Sequence, residues 1–125
     1  MIDFQNGSII KLHEEKYPQL PPLVASILIE GEQVIAAFRS VRDMVIFTSK
    51  RLITLNVQGV TGKKKDLTSL PYKRIQAFSV ETAGVMELDA EMTLWFSGLG
   101  RVRLEFVSNA DVAAICKMIS RETLA

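Results

Sequence analysis

The middle and later parts of the chain alternate hydrophobic and polar residues in short runs, a pattern typical of β-strands. The clearest runs lie at 44–48 and 51–57, where β-branched residues are frequent. Ile75 to Thr82 and two later segments repeat the same period of two. The pattern predicts seven strands, over residues 34–41, 44–48, 51–57, 67–72, 75–82, 92–97 and 101–107.

Glycine-containing turns separate these strands. Gly59 and Gly62 lie in a lysine-rich loop, Ala83-Gly84 follows the fifth strand, and residues 97–100, Ser-Gly-Leu-Gly, predict a hairpin between the last two strands. Pairing across this hairpin aligns two apolar faces. Those faces are Met92, Leu94 and Phe96 on one strand and Val102, Leu104 and Phe106 on the other.

Helical patterns flank the strands. Ser8 is expected to cap a short helix reaching Lys16, which Pro18 interrupts because proline has no amide donor. A second helix is predicted from Pro22 to Gly31. Its apolar face would carry Leu23, Val24, Ile27 and Leu28.

The end of the chain has the strongest helical pattern, at residues 109–122. Ser108 or Asn109 is expected to cap this helix, with Asp111 as the capping-box partner. The hydrophobic residues Val112, Ile115, Cys116 and Ile119 recur at helical spacing. An apolar face of this kind needs to cover a sheet or the open end of a barrel.

A length of 125 residues suits one domain with one core. The predicted division is a helical lead-in at 1–31, strands at 33–107 and a capping helix at 109–122. The predicted fold class is therefore mainly β within the α+β class, a small barrel closed by the final helix.

This order of elements resembles the bacterial pleckstrin-homology-like domain family. The resemblance rests on RDMVIFTSKRLI at 42–53, QGVTGKK at 58–64, PYK at 71–73 and FSVETAG at 78–84. It implies seven antiparallel strands in two near-orthogonal sheets with a C-terminal capping helix. It also implies a non-enzymatic module that assembles into a cyclic homo-oligomer. The proline-rich approach at 18–22 departs from the family pattern.

The overall charge limits the classes of partner. A net charge of +1 argues against a nucleic-acid partner, so any electrostatic role requires local clustering. The lone Cys116 cannot form an internal disulfide, which fits a reducing, cytoplasmic location. The start of the chain has no basic leader, and the apolar stretch 23–29 is too short to span a bilayer.

The sequence offers no catalytic set, cofactor motif or metal-binding cluster. His13 stands beside only two acids, which predicts a surface residue rather than a metal ligand. Asp89 and Glu91 share a strand face without a feature that would raise a pKa for acid catalysis. Cys116, on an apolar helix face, is expected to be a buried, inert thiol. We therefore expect a protein that is not an enzyme.

Two surface features remain as candidate binding sites. Trp95 lies on the polar face of its strand, and a large aromatic side chain there is a candidate interface anchor; burial under a loop is the alternative. The basic residues could instead meet on one rim and bind phosphate on an anionic lipid, or form only a solvated loop beside Asp66. They are Lys50, Arg51, Lys63, Lys64, Lys65, Lys73 and Arg74.

The leading hypothesis is a homo-oligomeric ring that presents one surface repeatedly to a protein partner. Open strand edges would template self-association, and a closed ring would satisfy them. The alternative is a peripheral reader of anionic phospholipid headgroups that uses the basic residues.

Overall fold

A computed structural model of the protein describes residues 1–4, 7–82, 90–107 and 110–125. In these residues one β-sheet is accompanied by two helices and one 3-10 turn. The elements are β1 (Ile9–Glu14), α1 (Pro22–Ala25), β2 (Val34–Arg39), β3 (Asp43–Thr48), β4 (Arg51–Gln58), β5 (Lys64–Pro71), the 3-10 turn Tyr72–Arg74, β6 (Ile75–Thr82), β7 (Ala90–Phe96), β8 (Gly100–Phe106) and α2 (Val112–Thr123).

The eight strands form a single sheet in the order β5-β4-β3-β2-β1-β8-β7-β6. All neighbours are antiparallel except β1 and β8, which are parallel. β1 thus joins the meander β2–β5 to the meander β6–β8, and the sheet curls into a half-barrel. The prediction of seven antiparallel strands in two sheets is therefore wrong in its details, because the additional strand β1 makes one mixed sheet.

β1 occupies the segment where the sequence predicted the first helix. Ile9 and Leu12 are both buried and stand three positions apart, a spacing that imitates a helical face. The register with β8 shifts between these two residues, and Lys11 has a positive φ of 55°. A β-bulge thus inserts one extra residue between two inward-facing positions. The prediction of a helical lead-in at 1–31 is therefore wrong for residues 9–14, which form a strand.

The second predicted helix is also shorter than expected. α1 contains only four residues, Pro22–Ala25. In a continuing helix the Ile27 carbonyl would accept from the amide of residue 31. It accepts instead from Arg51 Nη2 at 2.6 Å, which favours an irregular loop. Val24 of α1 is fully buried against the outer face of the sheet. Its buried neighbours there are Ala37, Met44, Ile46, Ile53 and Leu55.

The main core lies inside the curl of the sheet. Phe38, Phe47 and Phe106 form its aromatic centre, and the ring centroids of Phe38 and Phe106 are 4.7 Å apart. The predicted β7–β8 hairpin is confirmed, since Met92 pairs with Leu104. The six predicted inward residues of this hairpin are all buried.

α2 contacts β6 and the 3-10 turn that precedes it, and so lies beside the β6 edge of the sheet. Ile115, Met118 and Ile119 are its buried residues. Asp111 itself is the N-cap, accepting a hydrogen bond from the Ala114 amide at 3.0 Å. It therefore takes the place expected for Ser108 or Asn109, which lie outside the described residues, as does the predicted turn at Ala83-Gly84.

Candidate functional site

The seven candidate cations are divided between two ends of the β4–β5 hairpin. Arg51 pairs with Pro71 at one end, and Gln58 pairs with Lys64 at the other. Seven residue steps separate these pairs, which amounts to roughly 23 Å along the strands. Lys63, Lys64 and Lys65 consequently lie far from the other four residues, so the cations do not meet on one rim.

Arg51 has a structural role. Its guanidinium donates to both carboxylate oxygens of Glu32 at 2.9 Å and also to Ser69 Oγ at 3.1 Å. Thr48 Oγ1 donates to Glu32 as well, at 2.6 Å. Burial alone would raise the pKa of Glu32, but the hydrogen bonds from Arg51, Thr48 and the Ile29 amide outweigh it and lower the pKa. Because Arg51 is bound to these groups, its guanidinium is poorly placed to hold an external anion.

Three of the cations lie near the start of β4. Lys50 forms an ion pair with Glu122 of α2 at 3.2 Å, which links the β3–β4 turn to the helix. Lys73 and Arg74 are exposed in the 3-10 turn, and the Tyr72 amide of this turn donates to the Lys50 carbonyl. This end of the hairpin therefore offers two exposed cations and one that is already paired.

The other end carries the lysine run. Lys63, Lys64 and Lys65 are all exposed. Arg42, in the β2–β3 turn, donates to the carbonyls of Val57 and Gly59 at 3.2 Å and so holds its turn against the β4–β5 loop. Sequence reasoning missed Arg42 because nothing along the chain shows that these two turns are adjacent. Four basic side chains thus belong to this end of the sheet.

Asp66 was the expected partner of the lysine loop. Its carboxylate lies against the amino group of Met1 and accepts a hydrogen bond from Thr68 Oγ1 at 2.9 Å. The Met1 amino group is the largest influence that lowers the pKa of Asp66, and Lys64 adds a smaller electrostatic effect. Asp66 is therefore engaged chiefly by groups other than the lysine run.

Trp95 lies on the outward face of β7, where it is 38% exposed. It pairs with Ala77 of the edge strand β6 and with Arg101 of β8. Ala77 is small, so the indole is not covered from the side of the edge strand. The exposure predicted for Trp95 is confirmed, and its position is one strand from the open edge.

The side chains weighed for chemistry are scattered over the fold. His13 is exposed on β1, not on a helix. Glu91 accepts two hydrogen bonds from Arg103, while Asp89 lies outside the described residues. Partial burial raises the pKa of the Cys116 thiol, which disfavours the reactive thiolate. These groups do not form a catalytic arrangement in the described part of the chain.

Two further observations concern metals and membranes. Within residues 1–4, 7–82, 90–107 and 110–125, no group of three or more histidine, cysteine, aspartate or glutamate side chains is placed to hold a metal ion. Neither α1 nor α2 has the length and hydrophobicity that a membrane-spanning helix needs.

Comparisons with known proteins agree with this architecture. The chain is 41% identical to a DUF1696 family protein with a pleckstrin-homology domain from Shewanella loihica, with a TM-score of 0.76 over 91% of this chain and 98% of that one. A pleckstrin homology domain from Shewanella amazonensis is 45% identical, with a TM-score of 0.61 over 82% and 84% of the two chains. The uncharacterised protein YjqA of Bacillus subtilis is 48% identical over 78% of this chain and 79% of its own length.

A curled sheet followed by a C-terminal helix that packs against it defines a module of the pleckstrin-homology class. More narrowly, the chain belongs to the bacterial PH domain family, whose sequence pattern matches residues 3–123. Members of this class are typically non-catalytic binding modules. The resemblance noted from the sequence is therefore confirmed.

Proposed function

We propose that the protein is a non-catalytic binding module that assembles into a homo-oligomeric ring and presents one surface repeatedly to a protein partner. The observation that carries the proposal is the open edge of β6. In the described part of the chain β6 pairs with β7 alone. Proteins commonly protect an exposed edge with charged side chains, especially lysine, or with proline. Over its eight residues β6 contains no lysine or proline and a single charged residue, Glu81.

The opposite edge of the sheet, β5, has a different character. It begins with Lys64 and Lys65 and ends with Pro71, which has no amide hydrogen to donate. β6 carries an exposed carboxylate near its end, Glu81. The two edges of one chain are therefore different and electrostatically complementary.

Complementary but different edges favour head-to-tail assembly. If β6 of one copy pairs antiparallel with β5 of the next over their full lengths, Glu81 lies opposite Lys65. A contact of this kind joins two different surfaces, and it closes into a ring when the rotation between copies allows. Trp95, one strand from the β6 edge, would add apolar contact area beside the strand pairing.

The ring would act through avidity. Several copies of one weak site held together bind a multivalent partner far more tightly than one copy does, because later contacts form at high effective concentration. No single deep pocket is required for binding of this kind.

Measuring mass in solution tests the proposal. We expect wild-type protein to sediment as a multiple of its 13.9 kDa chain mass and Glu81→Lys to sediment at lower mass, since like charges would then face each other at the contact. Glu14→Lys is the matched control, because Glu14 is exposed on β1 away from both edges. Wild-type protein that stays at 13.9 kDa over the whole concentration range would contradict the ring.

A second candidate function is recognition of anionic phospholipid headgroups. It is favoured by the contact of Arg42 with the β4–β5 loop, which groups this guanidinium with the exposed lysine run. Clustered cations near a surface attract anionic lipid by about 1 kcal/mol each.

Vesicle flotation tests this second function. A variant with Lys63, Lys64 and Lys65 changed to glutamine should lose salt-sensitive binding to anionic vesicles. A variant with Lys50, Lys73 and Arg74 changed to glutamine is the control, since these residues lie at the opposite end of the hairpin. Equal binding by both variants, or no binding by wild type, would count against lipid recognition.

A further inference from the structure

A groove lies between β1 and the β2–β3 turn, away from the edges β5 and β6. It exists because β1 and β2 pair only at His13–Arg39 and Glu14–Phe38, so the strands part on the N-terminal side of His13. Its volume is about 730 Å³, within the range of about 300 to 1,000 Å³ typical of small-molecule sites. The residues that line it include Ile10, Lys11, His13, Glu15, Arg39, Val41, Arg42 and Asp43.

Lys11 lines the groove and has an unusual backbone conformation. Its φ of 55° lies in the left-handed region, which a lysine adopts rarely, and it falls within the bulge of β1. Bulges often redirect a side chain beside a binding site, and strained residues cluster at such sites. The bulge thus interrupts the inward–outward alternation of β1 and places Lys11 in the lining of the groove.

The charges around the groove leave a small positive surplus. Lys11, Arg39 and Arg42 supply three positive charges and Glu15 and Asp43 supply two negative charges, so one positive charge remains when His13 is not counted. Both carboxylates already have donors: Glu15 accepts from Arg39, and Asp43 accepts from Asn56. The surplus suits a ligand with one negative charge, whereas a doubly charged phosphate would leave one charge unmatched.

Apolar side chains stand beside these cations. Ile10, which is 49% exposed, and Val41, which is 99% exposed, both line the groove. Exposed aliphatic groups next to a cation favour a ligand that has an apolar body as well as an anionic group. A purely polar anion would leave this apolar surface in water.

We infer that this groove binds a small amphipathic carboxylate. The carboxylate group lies by Lys11 and His13, which supply donors from one strand, and the apolar body lies against Ile10 and Val41. The site involves neither edge strand, so it does not depend on ring assembly, and the two hypotheses succeed or fail separately.

Equilibrium dialysis with octanoate as the probe tests the inference. We expect one saturable octanoate per chain. Lys11→Gly keeps a backbone that tolerates positive φ but removes the ammonium group, and should weaken binding about tenfold. Lys117→Gln removes an exposed lysine of α2 and should leave binding unchanged. Failure to detect saturable binding at octanoate concentrations up to about 10 mM would overturn the inference. Equal effects of Lys11→Gly and Lys117→Gln would overturn it as well.

The apolar half of the site and the choice of anion have their own controls. Val41→Ser should weaken octanoate binding several-fold, whereas Val60→Ser, at an equally exposed valine of the β4–β5 loop, should not. Octanol, which lacks the charge, should bind about tenfold more weakly than octanoate. The proposed carboxylate site would be contradicted if octanol bound as tightly as octanoate or if octyl phosphate bound more tightly. Equal effects of Val41→Ser and Val60→Ser would also contradict it.

Discussion

Glu32 and Arg51 form a two-point ion pair in which both hydrogen bonds measure 2.9 Å. The Glu32 side chain is only 1% exposed. The pair fixes the segment after α1 to the first residue of β4, and Arg51 also holds the Ile27 carbonyl. This contact explains why Arg51, a candidate for anion binding, has a structural role instead.

Replacing Glu32 with glutamine should destabilise the protein. Glu32→Gln leaves the part-buried guanidinium of Arg51 without its counter-charge, and we expect the free energy of unfolding to fall by about 3 kcal/mol. Urea unfolding measures this change. Glu14→Gln, at an exposed position, is the control and should stay within about 0.5 kcal/mol of wild type. Equal stability of the two variants would show that the ion pair contributes little.

The same pair should make stability depend on pH. Because the folded-state pKa of Glu32 is lowered from an ordinary 4.5, folding favours the ionised carboxylate. Its contribution is therefore fully present above the unfolded pKa and is lost as pH falls through the folded pKa. The stability difference between wild type and Glu32→Gln should shrink as the pH falls below 4.5. A difference that stays constant or grows there would contradict this sign.

The bulge at Lys11 predicts opposite effects for two substitutions. Lys11→Val places a β-branched residue at positive φ and should lower the free energy of unfolding by about 1 to 2 kcal/mol. Lys11→Gly suits this conformation and should be neutral or stabilising by up to about 1 kcal/mol. Thermal unfolding of both variants tests the conformation. If valine were tolerated as well as glycine, the left-handed conformation of Lys11 would be wrong.

The bulge also shows where sequence reasoning failed. The alternation in 75–82 and 92–107 predicted β6, β7 and β8 because each strand there keeps a period of two. In β1, a single inserted residue moves the buried positions Ile9 and Leu12 to a helical spacing. The insertion is a property of pairing with β8, which is distant in sequence, so no local pattern distinguishes it from a helix.

The candidate sites were likewise predictable from the sequence only in part. Exposure of Trp95 follows from alternation within one strand and was predictable. The separation of the lysine run from Lys50 and Arg51 depends on strand register, and the Glu32–Arg51 pair joins residues 19 positions apart. Proximity of that kind becomes visible only when the strands are assembled.

Trp95 should matter for assembly more than for folding. Trp95→Ala removes a partly exposed indole next to the β6 edge, and we expect a lower mass in sedimentation with a folded circular dichroism spectrum. Trp95→Phe keeps a flat apolar ring and should retain more of the assembly. If Trp95→Ala sediments with the mass of wild type, the indole has no part in the contact.

The most direct test of the proposed ring is a charge exchange across the proposed β6–β5 contact. Glu81→Lys and Lys65→Glu should each lower the sedimenting mass, because each places like charges opposite one another. The double variant Lys65→Glu/Glu81→Lys restores opposite charges and should regain the mass of wild type. If the two edges pair in this way, the double variant regains the wild-type mass. A double variant that stays as small as either single variant, or single variants with unchanged mass, would contradict edge-to-edge assembly.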